Sequence, residues 1–433
     1  MVFMSKKQSI FKILFGLIIV LIFGLGSLFG FLYAKKQGPG SESKIKNKQV
    51  AFLNEVYNII EKNHWQTPED QNLDQIMILG VEKLTGQPQN IDDPNREKAF
   101  SLVEDMLTKI DGQEKKNEFA ASLADIILAN LKPLGRSRLY TQKQEQELSN
   151  TVKNIDPSVD QYEALGVEKQ ATTAEIDQAY EEKQQQATSE TEKQALKQAY
   201  QTLSDDENRQ RYDQSGVNPT LIWEIYTPDI LHIHLTKFSP TTVEDLQNVM
   251  KKAATENSQL NTLIFNLSDN IGGAIDYLPI FLGPFIGQGQ YAYQFIHQGE
   301  IQDFKTKIGW MPEMVRYKKV VVLINNQTQS SAEVVAATLK KYNVGVLVGT
   351  TTKGWGSVER VFTLENQLSD QEKHSVFLVH SLTLSDSGQP IEESGISPLI
   401  NINETSWPNL LNTYFNYPRL TEVIKDLLKN KLY

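Results

Sequence analysis

Apolar positions recur at helical spacing through the first part of the chain and at strand spacing through the second. Phe52, Leu53, Val56, Tyr57, Ile59 and Ile60 fall three to four residues apart, as do Leu123, Ile126, Ile127 and Leu131, so the stretch 48–155 is predicted to be a helical lead-in. Residues 142–201 are rich in Gln, Glu and Lys, too polar for a large core, and predict a small helical hairpin or a solvated helix. Asn218-Pro219 then punctuates the chain. Beyond it, Ile230 to Leu235 alternates as a strand, and Thr241-x-x-Glu244 caps a helix with Val243, Leu246, Val249 and Met250 on one face. Leu263–Leu267 and Val321–Ile324 predict buried strands, the latter led in by Lys319 and Val320. A helix over 332–342 and strands over 344–348, 358–364 and 375–384 follow, with a closing helix over 406–433. The expected fold is therefore an α/β (α+β) carboxyl-terminal domain over 220–405, behind an all-α region, with its active face at strand ends.

The amino terminus has a different texture. Lys6, Lys7 and Lys12 precede an uncharged stretch, Ile13 to Ala34, closed by Lys35 and Lys36. As a helix it is about 33 Å long, enough for a bilayer core. Leu32-Tyr33-Ala34 puts leucine where a cleavage site wants a small residue, so the segment 13–34 is read as an uncleaved, single-pass membrane anchor between a short tail, 1–12, and a spacer, 35–47. Lys44, Lys46 and Lys48 add positive charge on the far side, so charge alone leaves its direction open.

Composition narrows the function. A net charge of −10 supplies no basic surface to neutralise phosphates, which argues against nucleic-acid binding. With no cysteine there is no thiol nucleophile, disulfide or thiolate metal site. His232 and His234 share a strand face, but no carboxylate spacing completes a metal site. Nor does any Gly-Lys-Ser/Thr follow a strand to cradle a nucleotide. No metal or cofactor is expected.

Four segments carry a resemblance. Leu263 to Gly273, ending Ser268-Asp269-Asn270-Ile271-Gly272-Gly273, is followed by Val321 to Asn325 with Gln329-Ser330-Ser331-Ala332-Glu333. Next come Leu347 to Val358, containing Thr352-Lys353-Gly354-Trp355-Gly356, and Gly388-Gln389-Pro390-Ile391 to Gly395-Ile396-Ser397-Pro398. In this order they resemble the core of the C-terminal processing, or tail-specific, serine peptidases. Between the lead-in and that core, over 160–217, Gln161-Tyr162-Glu163-Ala164-Leu165-Gly166, Glu175 to Tyr180, Gln198 to Asp205 and Arg211 to Gly216 resemble a J-domain of the DnaJ type. No His-Pro-Asp lies between Tyr180 and Leu196, so the resemblance implies a degenerate J-like domain that recruits no ATPase chaperone.

The peptidase resemblance implies cleavage of a polypeptide substrate outside the cytoplasm. Ser330 takes the nucleophile's place, before a helix start where free N–H groups converge, so the Ser331 amide and the Gly272-Gly273 turn are candidate oxyanion donors. Read from the residues alone, Ser330 is first of all a helix N-cap and the glycines a tight turn; only the resemblance makes the nucleophile an equal reading. Counted from the nucleophile, the family's base lysine falls on Trp355, and the glutamine after it on Glu359. An indole accepts no proton. Lys353 is two residues away, and in extended backbone i and i+2 face the same way about 6.6 Å apart, so its stem reaches the vacated position. The chain is thus read as a serine endopeptidase with Ser330, Lys353 and Glu359 as catalytic candidates. The alternative is an inactive pseudopeptidase that binds peptides as a scaffold.

Overall fold

The computed structural model describes residues 47–67, 72–226, 228–385 and 388–429. The apolar stretch 13–34 lies outside them. Among the described residues no helix is long and apolar enough to cross a membrane.

Four helices open the described chain: α1 (Lys48–Asn63), α2 (Leu73–Thr85), α3 (Arg96–Lys109) and α4 (Gln113–Ala129). The helical spacing buries Phe52, Leu53, Val56 and Ile60 of α1, and the Asn47 side chain caps it by accepting the Gln49 and Val50 amides. The structure departs from an all-α region at β1 (Arg138–Thr141), which pairs antiparallel with the late strand β10 (His374–Leu384). Four residues are too few to display a period of two. What holds the strand is a distant partner, with Tyr140 stacked on Phe377 at 4.7 Å. The lead-in core accordingly includes Leu364, Leu368, Val376 and Leu378 from the far end of the chain. Helix α5 (Gln142–Lys153) follows, started by a Thr141/Gln144 capping box.

A small helical unit comes next, α6 (Gln161–Leu165), α7 (Thr173–Gln186), α8 (Glu190–Leu203) and α9 (Asp206–Ser215), around its own core of Tyr162, Leu165, Ile176, Leu196, Ala199 and Leu203. Its two ends are tied together: Ile155 bridges Val217, and the Asn218 amide donates to the Asn154 carbonyl at 3.0 Å.

The rest builds two sheets. In chain order the elements are β2 (Leu221–Tyr226), β3 (Ile230–Leu235), α10 (Thr242–Glu256), β4 (Thr262–Asn266), the short turns α11 (Leu278–Phe281) and α12 (Gly283–Ile286), β5 (Tyr291–His297), β6 (Glu300–Lys305) and β7 (Lys319–Ile324). Then come α13 (Ser331–Lys341), β8 (Val346–Gly349), β9 (Ser357–Thr363), β10, β11 (Ile400–Asn401), α14 (Trp407–Phe415) and α15 (Pro418–Lys429). One sheet runs β11-β8-β7-β4-β3-β2, parallel except for β2; the other runs β1-β10-β5-β6 with β9 on β10. Side-chain alternation divides the six-stranded sheet between two cores. Leu263, Phe265, Val322 and Ile324 pack with α10 and α13 on one face, and Ile264, Val321 and Leu323 pack under α14 and α15 on the other.

The hairpin β5–β6 and the edge strand β2 were not legible from periodicity, because β6 is almost wholly exposed and β2 is nearly apolar throughout. The single closing helix expected over 406–433 is two: Asn416 turns left-handed and Pro418 restarts the chain as α15. Parallel strands β4 and β7 end side by side, and the predicted chemistry sits at those ends.

Candidate active site

Strand β7 ends at Ile324, and after the five residues 325–329 the chain enters α13 through Ser330. The turn is fastened to the end of β4 by Thr328 Oγ1 donating to the Leu267 carbonyl (2.8 Å) and by the Gln329 amide donating to the Asn270 carbonyl (3.0 Å). Ser330 itself has φ 57° and ψ −127°, a conformation that L-residues avoid, at a cost on the order of 1–3 kcal/mol. A sharp strand-to-helix turn of this kind pushes a serine hydroxyl out of the fold.

Glycine is required opposite it. A Cβ on Gly272, whose φ is +84°, would lie 2.6 Å from Ser330 Cβ, and one on Gly273 would lie 2.0 Å from the Phe238 carbonyl oxygen. Of the three amides expected to face an oxyanion, that of Gly272 is spent, donating to Asn270 Oδ1 at 2.8 Å. Those of Gly273 and Ser331 make no hydrogen bond among the described residues, and Ser331 Oγ donates to the Gly273 carbonyl at 2.9 Å, which ties the two peptide units together. Two preset N–H donors beside a serine can hold a developing oxyanion.

Glu333 joins this turn to the loop after β8. Its Oε2 accepts the amides of Ser330 (2.9 Å) and Trp355 (2.7 Å), while Oε1 accepts the Gly354 amide (2.7 Å) and the Thr352 hydroxyl (2.5 Å). The residue is 1% exposed, and burial pushes its carboxyl above the ordinary carboxylate range against the pull of those four donors. The Ser-x-x-Glu spacing of a capping box is the sequence signal for this residue.

The base side is built otherwise. The Lys353 amide donates to the Thr328 carbonyl at 3.0 Å, which places this residue beside the nucleophile turn, but the side chain is exposed. Its ammonium lies 5.2 Å from the centre of the Trp355 ring, and among the described residues no hydrogen bond joins it to Ser330. The Lys353 side chain therefore stands in solvent and not in an apolar pocket. The Trp355 indole N–H donates to Glu359 Oε1 (3.1 Å), which also accepts the Ser357 hydroxyl (2.7 Å). Burial pushes the Glu359 carboxyl up as well. On the other side of the indole lies Arg136, from the lead-in, with its guanidinium carbon 3.4 Å from the ring centre.

Arg136 donates through Nε (3.2 Å) and Nη2 (2.9 Å) to Glu392 Oε1, and Glu392 Oε2 accepts the Gly356 and Ser357 amides at 2.7 and 3.0 Å. Neither Arg136 nor Glu392 could be found by spacing, since their sequence positions are far apart. His232 and His234 turn to the end of β4 instead: Asn266 Nδ2 lies 3.3 Å from His232 Nε2, and His234 Nε2 lies 3.0 Å from the Ser268 carbonyl. Among the described residues no cluster of three His, Asp or Glu is placed to hold a metal.

A strained serine at a strand-to-helix turn, with paired free amides and a loop hung on one carboxylate, agrees with what similarity to known proteins reports. The profile described as Peptidase family S41 matches residues 229–402, and that of the DnaJ domain matches 160–213. Residues 229–402 are a peptidase family S41 domain. The chain is similar to the carboxy-terminal-processing protease of Bartonella bacilliformis, 27% identical over 179 residues, 41% of this chain and 39% of that protein. It is also similar to the carboxy-terminal processing protease CtpA of Bacillus subtilis, 28% identical over 182 residues, 42% of this chain and 36% of the other. The matched part thus spans well under half the length of these relatives. A solved photosystem II D1 C-terminal processing protease aligns with 83% of this chain and 94% of its own, at 13% identity and a TM-score of 0.48. The S41 match covers residues 229–402, less than half of the chain. The Trp355 stack and the exposed Lys353 are particulars of this chain's own geometry.

Proposed function

We propose that this protein is a membrane-anchored serine endopeptidase of the tail-specific kind, acting on polypeptides outside the cytoplasm. Ser330 is its nucleophile, and Lys353 supplies the base from a displaced position. The observation that carries the reading is the backbone of Ser330. A surface used only to bind peptides has no use for a residue held at φ 57° against the Gly272 turn, because the strain is a standing cost, and a nucleophile needs a sharp turn that presents its hydroxyl beside free amides for the oxyanion. Lys353 is held two residues from the base position by the Thr328 carbonyl, and a bound polypeptide covering the site would exclude water from its stem. Attachment through residues 13–34 and an extracytoplasmic body accord with the apolar length of that segment.

A second reading has its own observation. Trp355 falls on the counted base position, its indole donates to Glu359 and Arg136 lies over its ring, which leaves no place there for a buried lysine on this reading. On that reading the S41 domain binds peptides without cleaving them.

Cleavage of an unstructured polypeptide by the full-length protein decides between the two. Turnover that disappears in Ser330→Ala supports the peptidase. An inert parent that gains turnover in Trp355→Lys supports the pseudopeptidase. For topology, protease added to wall-stripped cells is expected to digest the body, and a protected body with a clipped amino terminus would reverse the orientation.

A further inference from the structure

A cleft of about 530 Å³ opens between the small helical unit and the S41 domain, away from Ser330, with α7 and α8 on one side and β2 and α10 on the other. Its floor is an edge of the six-stranded sheet, since β2 pairs only with β3. The Gln201 side chain on α8 acts there as a single residue of a neighbouring strand: its Nε2 donates to the Trp223 carbonyl (2.8 Å) and its Oε1 accepts the Trp223 amide (3.2 Å). These bonds show which backbone groups of β2 face away from β3. In an antiparallel pair the outward-facing residues alternate, so Ile225, two residues on, also turns its N–H and C=O outward. It lines the cleft, and no hydrogen bond reaches these groups among the described residues.

The walls are aromatic and acidic. Tyr180 and Tyr200 stack at 4.2 Å between ring centres, and Trp223 lies in the floor. Five carboxylates line the cleft against two lysines. Lys197 pairs with Glu224, Lys252 with Asp205, and Arg211, behind the wall, with Asp245. Among the described residues Asp177 and Glu256 form no salt bridge; Asp177 accepts a hydrogen bond from the Tyr200 hydroxyl, and Glu256 lies within electrostatic reach of Lys252, so the cleft keeps an excess of carboxylates.

We propose that this cleft binds an extended, basic segment of polypeptide. One residue of the segment adds to the sheet edge at Ile225, and its lysine or arginine side chains lie against the tyrosine stack between Asp177 and Glu256. Unpaired edge groups select an extended backbone, since strand addition supplies their missing partners. Aromatic faces and an excess of carboxylates over lysines select cationic side chains. The site is separate from the Ser330 chemistry and does not depend on turnover there.

The test is fluorescence anisotropy of the full-length Ser330→Ala protein with a labelled unstructured peptide carrying lysine at alternate positions. Binding is expected to weaken with added salt, and to fall about five- to tenfold in Asp177→Asn/Glu256→Gln, the worth of two exposed charge contacts. Glu256→Lys, at an exposed position on the last turn of α10 where folding is undisturbed, is expected to weaken it at least as much. Equal binding of the same peptide with glutamate in place of lysine, or unchanged affinity in both variants, would overturn the proposal.

Discussion

The turn carrying Ser330 and the loop carrying Lys353 and Trp355 meet on one carboxylate, Glu333, yet they are held by different means. The turn is a product of close backbone approach: Gly272 against Ser330, Gly273 against Phe238, and hydrogen bonds between neighbouring strand ends. The loop is a product of side chains from distant segments, Arg136 from the lead-in, Glu359 from β9 and Glu392 from beyond β10. Backbone packing leaves little room for substitution. Side-chain clamps can be rebuilt around a different residue, and here they are built around an indole.

The largest expected effect tests whether the two halves act as one unit. If Lys353 is the base, Lys353→Ala reduces cleavage of an unstructured polypeptide to the same floor as Ser330→Ala, a loss on the order of a million-fold, and the double variant falls no further. Single-turnover assays of the three variants check this, and a Lys353→Ala enzyme that keeps most of its rate would detach the loop from the chemistry.

Next in size is the clamp. The side chains of Arg136 and Glu392 are 18% and 7% exposed, so Arg136→Ala strands a largely buried carboxylate and removes the cover of Trp355. The expected cost is about 2–3 kcal/mol, read as a lower midpoint in urea, with Arg136→Lys recovering part of it through charge alone.

The smallest effect is a pH slope. Burial raises the Glu359 carboxyl above its value in the unfolded chain. Between those two values the folded state holds the extra proton, so stability rises as pH falls through the window and is lower above it. Glu359→Gln keeps an acceptor for Trp355 and Ser357 but removes the titration. Thermal melts across mildly acidic pH are expected to show a flatter dependence and a higher midpoint above the window, and an unchanged slope would place the titrating group elsewhere.

What could be read before the structure follows the same division. Ser330, Ser331, Gly272 and Gly273 stand in short motifs whose geometry is local, so their juxtaposition was legible, although the Gly272 amide turned out to serve Asn270. Trp355 was legible as a departure, but its partner Arg136 was not, because no spacing rule links a lead-in arginine to a loop after β8. The same holds for the fold. The parallel strands β4 and β7 announced themselves as buried apolar runs, whereas β1 exists only because β10 pairs with it. Helix periodicity found the helices of the lead-in but missed β1 within it, and missed that its core is shared with the carboxyl-terminal sheet.

The tied ends of the small helical unit carry a consequence for how the molecule can be altered. Asn154 and Asn218 already touch, so a short turn could bridge the gap and the unit could be cut out or exchanged without rethreading the sheet. Its removal would also take away Gln201 and bare the whole outer edge of β2, an open template for a strand from another copy. The branch point makes the unit easy to detach, and the covered edge makes its detachment costly in solubility.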